Sequence, residues 1–207
     1  IHQFLGELNV DRRMVDLGSA LGLYVVFRLW YDNWRGPLSP QEVNDFMNQV
    51  SGLKMSEYSD PQVVRTFLET DDGQEFVMVN LVRVHTGELA HPHTGKPTKG
   101  IDLLREYGNS FVKVLVRHGG HPVLVMRKVG GYIDSWNTPP DPGWHVAGSM
   151  RYRSRRDMMK LALDPSVRDV HILKTAATAT TFSFPSQVVL GLAIRPRVWV
   201  ALLLTLS

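Results

Sequence analysis

A mixed α+β fold is what this sequence predicts, and three observations carry the prediction. The run FVMVNLVRV at 76–84 is apolar and β-branched, the composition of a buried strand. In 101–120, Leu103, Leu104, Tyr107, Phe111, Val114 and Leu115 recur at three- and four-residue steps, the period of a helix with one buried face. Further apolar runs at 121–133, 144–153 and 178–185 are set apart by glycine- and proline-rich turns, and a helical pattern starts at 155.

The first element is the stretch Met14–Tyr31, MVDLGSALGLYVVFRLWY. As a helix, 18 residues extend about 27 Å, near the hydrocarbon thickness of a bilayer. Arg12 and Arg13 precede it, and Trp30, Tyr31 and Trp34 follow it. Basic residues on one flank and aromatic ones on the other predict a single-pass anchor in a bacterial inner membrane, its N-terminus cytoplasmic and its globular part periplasmic. Leu17, Leu21, Leu23, Val25, Phe27, Trp30 and Trp34 are the expected lipid or partner contacts. Asp16 and Arg28 favour the opposing interpretation, a helix packed on protein.

WRGPLSP at 34–40 predicts a linker, since two prolines remove backbone donors and Gly36 loosens the chain. Ser39, Pro40 and Glu42 form a capping box for a helix that carries Val43, Phe46, Met47 and Val50 on one face. Asp60-Pro61 begins a second short helix with Val63, Val64, Phe67 and Leu68 inward. The strand at 76–84 comes next, then a polar loop at 85–100, and the helix at 101–120 stops at Gly119-Gly120. A strand at 121–133, a turn-rich stretch at 137–143 and a strand at 144–153 follow. Ser154 caps another helix, with Met158, Met159, Leu161 and Ala162 inward, and TATTFSFP at 178–185 is the last strand. Strand, helix, strand, strand, helix, strand is the split βαβ, ferredoxin-like arrangement, an antiparallel sheet with two helices on one face. The other face of such a sheet needs a cover, and a homodimer partner is the usual one.

The C-terminal run is too apolar for a free tail: VVLGLAI at 188–194, then Arg195-Pro196-Arg197, then VWVALLLTLS. Trp199, Leu202 and Leu203 are expected against lipid or a larger membrane complex, with a further strand and helix of the domain itself as the alternative. The domain division is therefore 1–34, an anchor segment; 35–75, a linker with two short helices; 76–185, the α+β domain; and 186–207, an apolar extension. The chain starts at Ile1 and stops inside an apolar run, and it is read as open at both ends.

Composition narrows the function. Of the 207 residues 43% are hydrophobic and 21% charged, which excludes wholesale disorder, and a net charge of +3 is too small for a dedicated nucleic-acid binder. With no cysteine there is neither thiolate catalysis nor a cysteine zinc site. A phosphate loop, a nucleophile elbow and paired carboxylates at strand ends are all missing from the sequence.

The segments VMVNLVRV, LLREYGNSFVKVLVRHGGHPV and WHVAGSMRYRSRRDMMKLALDPSV resemble the dimeric α+β barrel superfamily, and within it the domain-of-unknown-function 1330 family. The similarity rests on Asn80-Leu81 in the first strand, His118-Gly119-Gly120 after the first long helix, a Trp in the second hairpin, and the step from Arg151 to Met158. Arg153 stands where that family more often has proline. The resemblance covers 76–185 and implies the fold; the superfamily includes monooxygenases and isomerases as well as members without known chemistry, so it assigns no activity.

Candidate sites are few. His85, His91 and His93 crowd the 85–100 loop and offer metal nitrogens, but without the further convergent ligands a site requires; a solvated loop is the ordinary interpretation, and neither metal nor cofactor is expected. Tyr107, Trp136, His145, Arg151 and Tyr152 are placed at a cleft between sheet and helices, where they would suit an aromatic or quinone-like ligand. Packing in the core is the plainer role for them. The basic run RYRSRR at 151–156 opposes the dipole of the helix it precedes, which asks for an acidic partner. Two function classes result: a membrane-anchored, non-catalytic accessory subunit of a respiratory or photosynthetic type of assembly, and an enzyme of the monooxygenase or isomerase kind using the cleft. The apolar ends and the lack of a catalytic set favour the first.

Overall fold

The computed structural model describes residues 2–51, 59–191 and 196–206, with side chains from residue 14 onward, so Arg12, Arg13 and Arg195 lie outside what is said of side chains. The chain divides into two compact units, one formed by 1–34 with 189–207 and the other by 35–188.

The second unit holds a four-stranded antiparallel sheet. In chain order its elements are α2 (Pro40–Ser51), α3 (Pro61–Glu69), β1 (Phe76–Val84), β2 (Glu88–Ala90), β3 (Pro97–Lys99), α4 (Gly100–Arg117), β4 (His121–Arg127), β5 (Val146–Tyr152), α5 (Arg155–Leu163), α6 (Pro165–Ala177) and β6 (Thr178–Ser186), with α1 and α7 in the other unit. The strand order is β4-β5-β1-β6, so strands from the two halves interleave and the arrangement is the ferredoxin-like one. Register assigns the two faces. Phe76 opposes Tyr152, Met78 opposes Met150 and Asn80 opposes Gly148, and these residues face the helices. Val79, Leu81, Phe182, Phe184, Leu124 and Met126 share the other face, where Leu124 is 48% and Phe182 and Phe184 are each 46% exposed.

Three packed clusters hold the unit together. Phe76, Phe111, Val114, Leu115, Tyr152, Leu161 and Val167 join sheet to helices; Leu103, Leu173 and Ala177 lock α4 to α6; and Val43, Leu68 and Met159 bind α2 and α3 to α5. Residues 35–75 are thus a packed part of this unit and not a tether to it. The expected caps form: Ser39 and Glu42 exchange reciprocal hydrogen bonds, Asp60 accepts from the Gln62 N–H, and Ser154 accepts from the Asp157 N–H. Gly119, at φ +75°, ends α4 in the left-handed conformation.

Three elements differ from expectation. The loop 85–100 contains the small β2–β3 hairpin, with Leu89 packed on the α4–α6 cluster. The strand expected over 121–133 ends at Arg127. A second helix, α6, follows α5, begun by Pro165 with Asp164 capping Ser166; its Asp-Pro start mirrors that of α3, and Val167, Val170, His171 and Lys174 recur at helical steps.

The first unit consists of α1 (His2–Tyr31) and α7 (Pro196–Leu206). Asp32, 8% exposed, accepts from Arg28 and, at 2.8 Å, from Arg197 Nε, tying the two helices. Among the described residues no helix is long and apolar enough to cross a membrane. Asp16 and Arg28 confine the apolar stretch of α1 to Leu17–Phe27, roughly 16 Å at 1.5 Å per residue and about half a bilayer's hydrocarbon. The spanning anchor expected over 1–34 is therefore unsupported, and Arg197 is engaged by Asp32. Residues 192–194 of the VVLGLAI run lie outside the described residues, while Val189 and Leu190 before them are exposed.

Candidate functional site: a cleft between sheet and helices

Aromatic rings gather on the helix-facing side of the sheet: Phe67 stands edge-on to Phe76 and Phe76 stacks on Tyr152, with centroids 5.3 and 5.2 Å apart, and Tyr107 stacks on Phe111 at 5.3 Å. Phe67, Tyr107, Phe111 and Tyr152 border a cleft of about 1190 Å³ between the sheet and the helices α2 to α6. That volume exceeds what a drug-sized ligand fills.

Small residues on the facing surfaces make the space. Gly148 of β5 and Gly108 of α4 both line it; a Cβ at Gly108 would meet nothing within 4 Å, and one at Gly148 only ordinary contacts at 3.8 and 3.9 Å. The remaining walls are mostly apolar, Met78, Val82, Val125 and Met150 among them. Asn80 and Ser183 supply polarity at the sheet, but they largely satisfy each other, since Ser183 Oγ donates to Asn80 Oδ1 at 2.7 Å while Asn80 Nδ2 donates to the Met78 carbonyl.

On the helix side Tyr107, His171 and Lys174 line the cleft together with Ser59, Asp60, Arg105 and Asn109; Asp60 caps α3 and Arg105 pairs with Asp102. The His171 ring stands edge-on to Tyr107 at 6.4 Å, and Lys174 Nζ lies 5.9 Å from the Tyr107 ring centre. Burial acts on all of them in one direction, against charge. It raises the Tyr107 and Tyr152 phenols, lowers His171 with help from Lys174, and lowers Lys174. Burial and the neighbouring Lys174 thus both favour the uncharged form of His171.

Of the five residues expected at a cleft, the structure brings together Tyr107 and Tyr152 and leaves three elsewhere. Trp136 is 88% exposed in the loop after β4. His145 continues the β1–β5 ladder: its N–H donates to the Val82 carbonyl and its Nδ1 accepts from the Val84 N–H at 3.3 Å. Arg151 pairs with Val77 and His121 on the opposite face, 3.8 Å from Glu75, and its Nε is buried without a hydrogen-bond partner. The reason is the period of the strand, because Tyr152 and Arg151 are neighbours and must point to opposite sides. Lys174, His171 and Asn80 were not expected at the site; the first two became visible only with α6.

His91 and His93 neighbour each other, and His91 Nε2 meets Glu106 at 3.1 Å, but among the described residues no group of three potential ligands converges. His118, at the C-cap of α4, pairs with Asp164 at 3.3 Å. The basic run finds its acidic partners within the chain: Arg153 grips Asp157 with two bonds at 2.7 and 2.8 Å, Arg155 approaches Asp71 at 3.4 Å, and Arg156 holds Glu42. Burial opposes ionisation of Asp157, yet the bonds from Arg153 and Ser154 outweigh it and keep the carboxyl below its usual range.

No family model matches this chain, and no curated protein does. Among solved structures it is similar to a protein of unknown function from Rhodopseudomonas palustris, a structural-genomics target, with a TM-score of 0.52 at 22% identity over 67% of this chain and 96% of that one. A methylated form of the same protein matches equally, at 22% identity and a TM-score of 0.52 over 67% of this chain and 94% of the other. At this identity the likeness shows a shared fold, the α+β arrangement described above, and nothing of activity.

Proposed function

We propose that this chain is a small-molecule-binding protein whose sheet–helix cleft takes a bulky, largely apolar ligand. One observation carries the reading: a close-packed domain interior keeps few voids larger than a water molecule, whereas here about 1190 Å³ lies open beside an aromatic floor. The floor and the glycine-lined walls suit a flat or flexible hydrocarbon body. The apolar lining among the described residues supports binding, and binding is the function proposed.

The neutral fluorophore N-phenyl-1-naphthylamine provides the test. The protein is expected to bind it, with a rise in emission, and Gly148→Leu and Gly108→Leu are expected to weaken binding roughly tenfold by filling the space. Gly108→Leu should also raise stability by about 0.8 kcal/mol through helix propensity, which separates a filled cleft from a damaged fold. Equal binding by all three proteins would remove the proposal.

A second reading is favoured by the unit formed from α1 and α7. Leu17, Leu21 and Leu23 are 61%, 65% and 58% exposed, and Trp30, Trp199, Leu202 and Leu203 are exposed as well. A helix this apolar and this uncovered needs a surface to meet. In this reading the chain is an accessory subunit held through that unit to a larger membrane assembly, with the α+β domain on the periplasmic side. Co-fractionation with other subunits after gentle solubilisation is expected, and Leu21→Asp with Val25→Asp should abolish it. Migration of the wild-type protein alone would count against the idea.

A further inference from the structure

Lys174 lines the cleft on its helix side, and neither packing nor a polar partner among the described residues explains its position. His171 presents its ring edge to Tyr107, and Tyr107 stacks on Phe111, but among the described residues Lys174 has neither a hydrogen bond nor an ion pair. Its nearest groups of electrostatic interest are the Tyr107 ring, 5.9 Å away at the far limit of a cation–π contact, and the His171 imidazole, whose charging it opposes. A lysine on a helix can carry its ammonium to water along its four-carbon stem. This one instead lines the cleft and is only partly accessible.

Resting on the reading of the cleft as a binding site, we infer that its ligand is a lipophilic carboxylic acid whose carboxylate pairs with Lys174 while its hydrocarbon body lies along the glycine-lined walls. The chemistry is complementary at each point. An ammonium with no counter-ion in a poorly solvated wall gains most from an anion that arrives with the ligand. A compact point charge with three donors suits a carboxylate without demanding a bidentate fork. Tyr107 and His171 border the same spot with groups that burial keeps uncharged, so neither competes for the anion nor repels it. Burial lowers the affinity of Lys174 for its proton for the same reason, desolvation without compensation, and an anionic ligand would relieve it.

Decanoate and 1-decanol form a tail-matched pair that isolates the head group. Both are titrated against the bound fluorophore, in the wild-type protein and in Lys174→Met, Lys174→Arg and Gly148→Leu. Decanoate is expected to displace the fluorophore roughly tenfold or more tightly than decanol, the scale of one charge-assisted hydrogen bond. Lys174→Met should abolish that preference, with an unchanged urea unfolding midpoint to report an intact fold; Lys174→Arg should retain it. A wild-type protein that binds the two equally, or a preference that survives Lys174→Met, overturns the inference while the cleft itself stands. Failure of the fluorophore and both probes to bind overturns the cleft reading and the inference with it.

Discussion

Replacing Arg156 by leucine should lower the stability of the α+β unit by about 3 kcal/mol, measured by urea denaturation, the range found when one member of a buried ion pair is removed. Arg156 is 3% exposed and bonds three residues of the segment that starts α2: Nε and one terminal nitrogen to the Glu42 carboxylate at 2.9 and 3.1 Å, and the terminal nitrogens to the carbonyls of Gly36 and Pro37 at 3.1 and 3.0 Å. The substitution leaves two carbonyls and a carboxylate facing an apolar side chain, and the cost is that of unsatisfied groups more than of a lost attraction. Glu42 should therefore couple to it: with Glu42→Leu in the same protein, the combined loss is expected to fall short of the sum of the single losses.

The same pair sets an acid limit. Arg156 holds the Glu42 carboxyl down to about 2 from an ordinary 4.5. A carboxyl whose folded value is depressed stabilises the fold fully above its unfolded value, and loses that contribution as pH falls toward the folded one. The wild-type protein should thus lose stability between pH 4.5 and 2, and Arg156→Leu should show a shallower dependence over that window.

Gly120→Ala is expected to cost about 3 kcal/mol, close to 10 °C in Tm for a unit of this size. A Cβ there would lie 2.3 Å from Leu115 Cδ1 and 2.7 Å from the Arg151 carbonyl oxygen. Leu115 is fully buried and Arg151 belongs to the central part of the sheet, so neither neighbour gives way without disturbing a strand or the core. The adjacent Gly119→Ala change faces a different obstacle, a left-handed backbone at φ +75° against the flexible Arg153 side chain, and should cost less, about 1 kcal/mol. Thermal unfolding of the two variants distinguishes a steric demand from a conformational one.

The sheet was legible because strands and caps are local signals. Val77 to Val84 could only be a strand, and Ser39, Asp60 and Ser154 each announced a helix that forms where they stand. The cleft was legible in outline only. Tyr107 and Tyr152 follow from the periods of their elements, whereas placing Arg151 beside Tyr152 in one cleft disregarded the alternation of a strand. His171 and Lys174 went unnoticed since 165–177 mixes charged and apolar residues too evenly to announce a buried face, although Asp164-Pro165 marked its start. The anchor expectation weighed aromatic and basic flanks without weighing how far Asp16 and Arg28 shorten the apolar run between them. Of the acidic partners demanded by RYRSRR, Asp157 stood in reach of a local pattern, four residues beyond Arg153, but Glu42, Asp71 and Glu75 precede the run by dozens of residues, a distance that no local pattern spans.

The central position of β1 has a consequence for how the protein is made. Its two edges are paired with β5 and β6, Asn80 facing Gly148 on one side and Ser183 on the other. A nascent chain emerges N-terminus first, so one edge of the most apolar strand stays open until β5 has left the ribosome and the other until Ser186 has. Both pairings join distant parts of the sequence, and each long loop must be drawn in before any contact rewards it. Slow, late folding and a need for chaperone cover during synthesis follow directly from where a single strand sits.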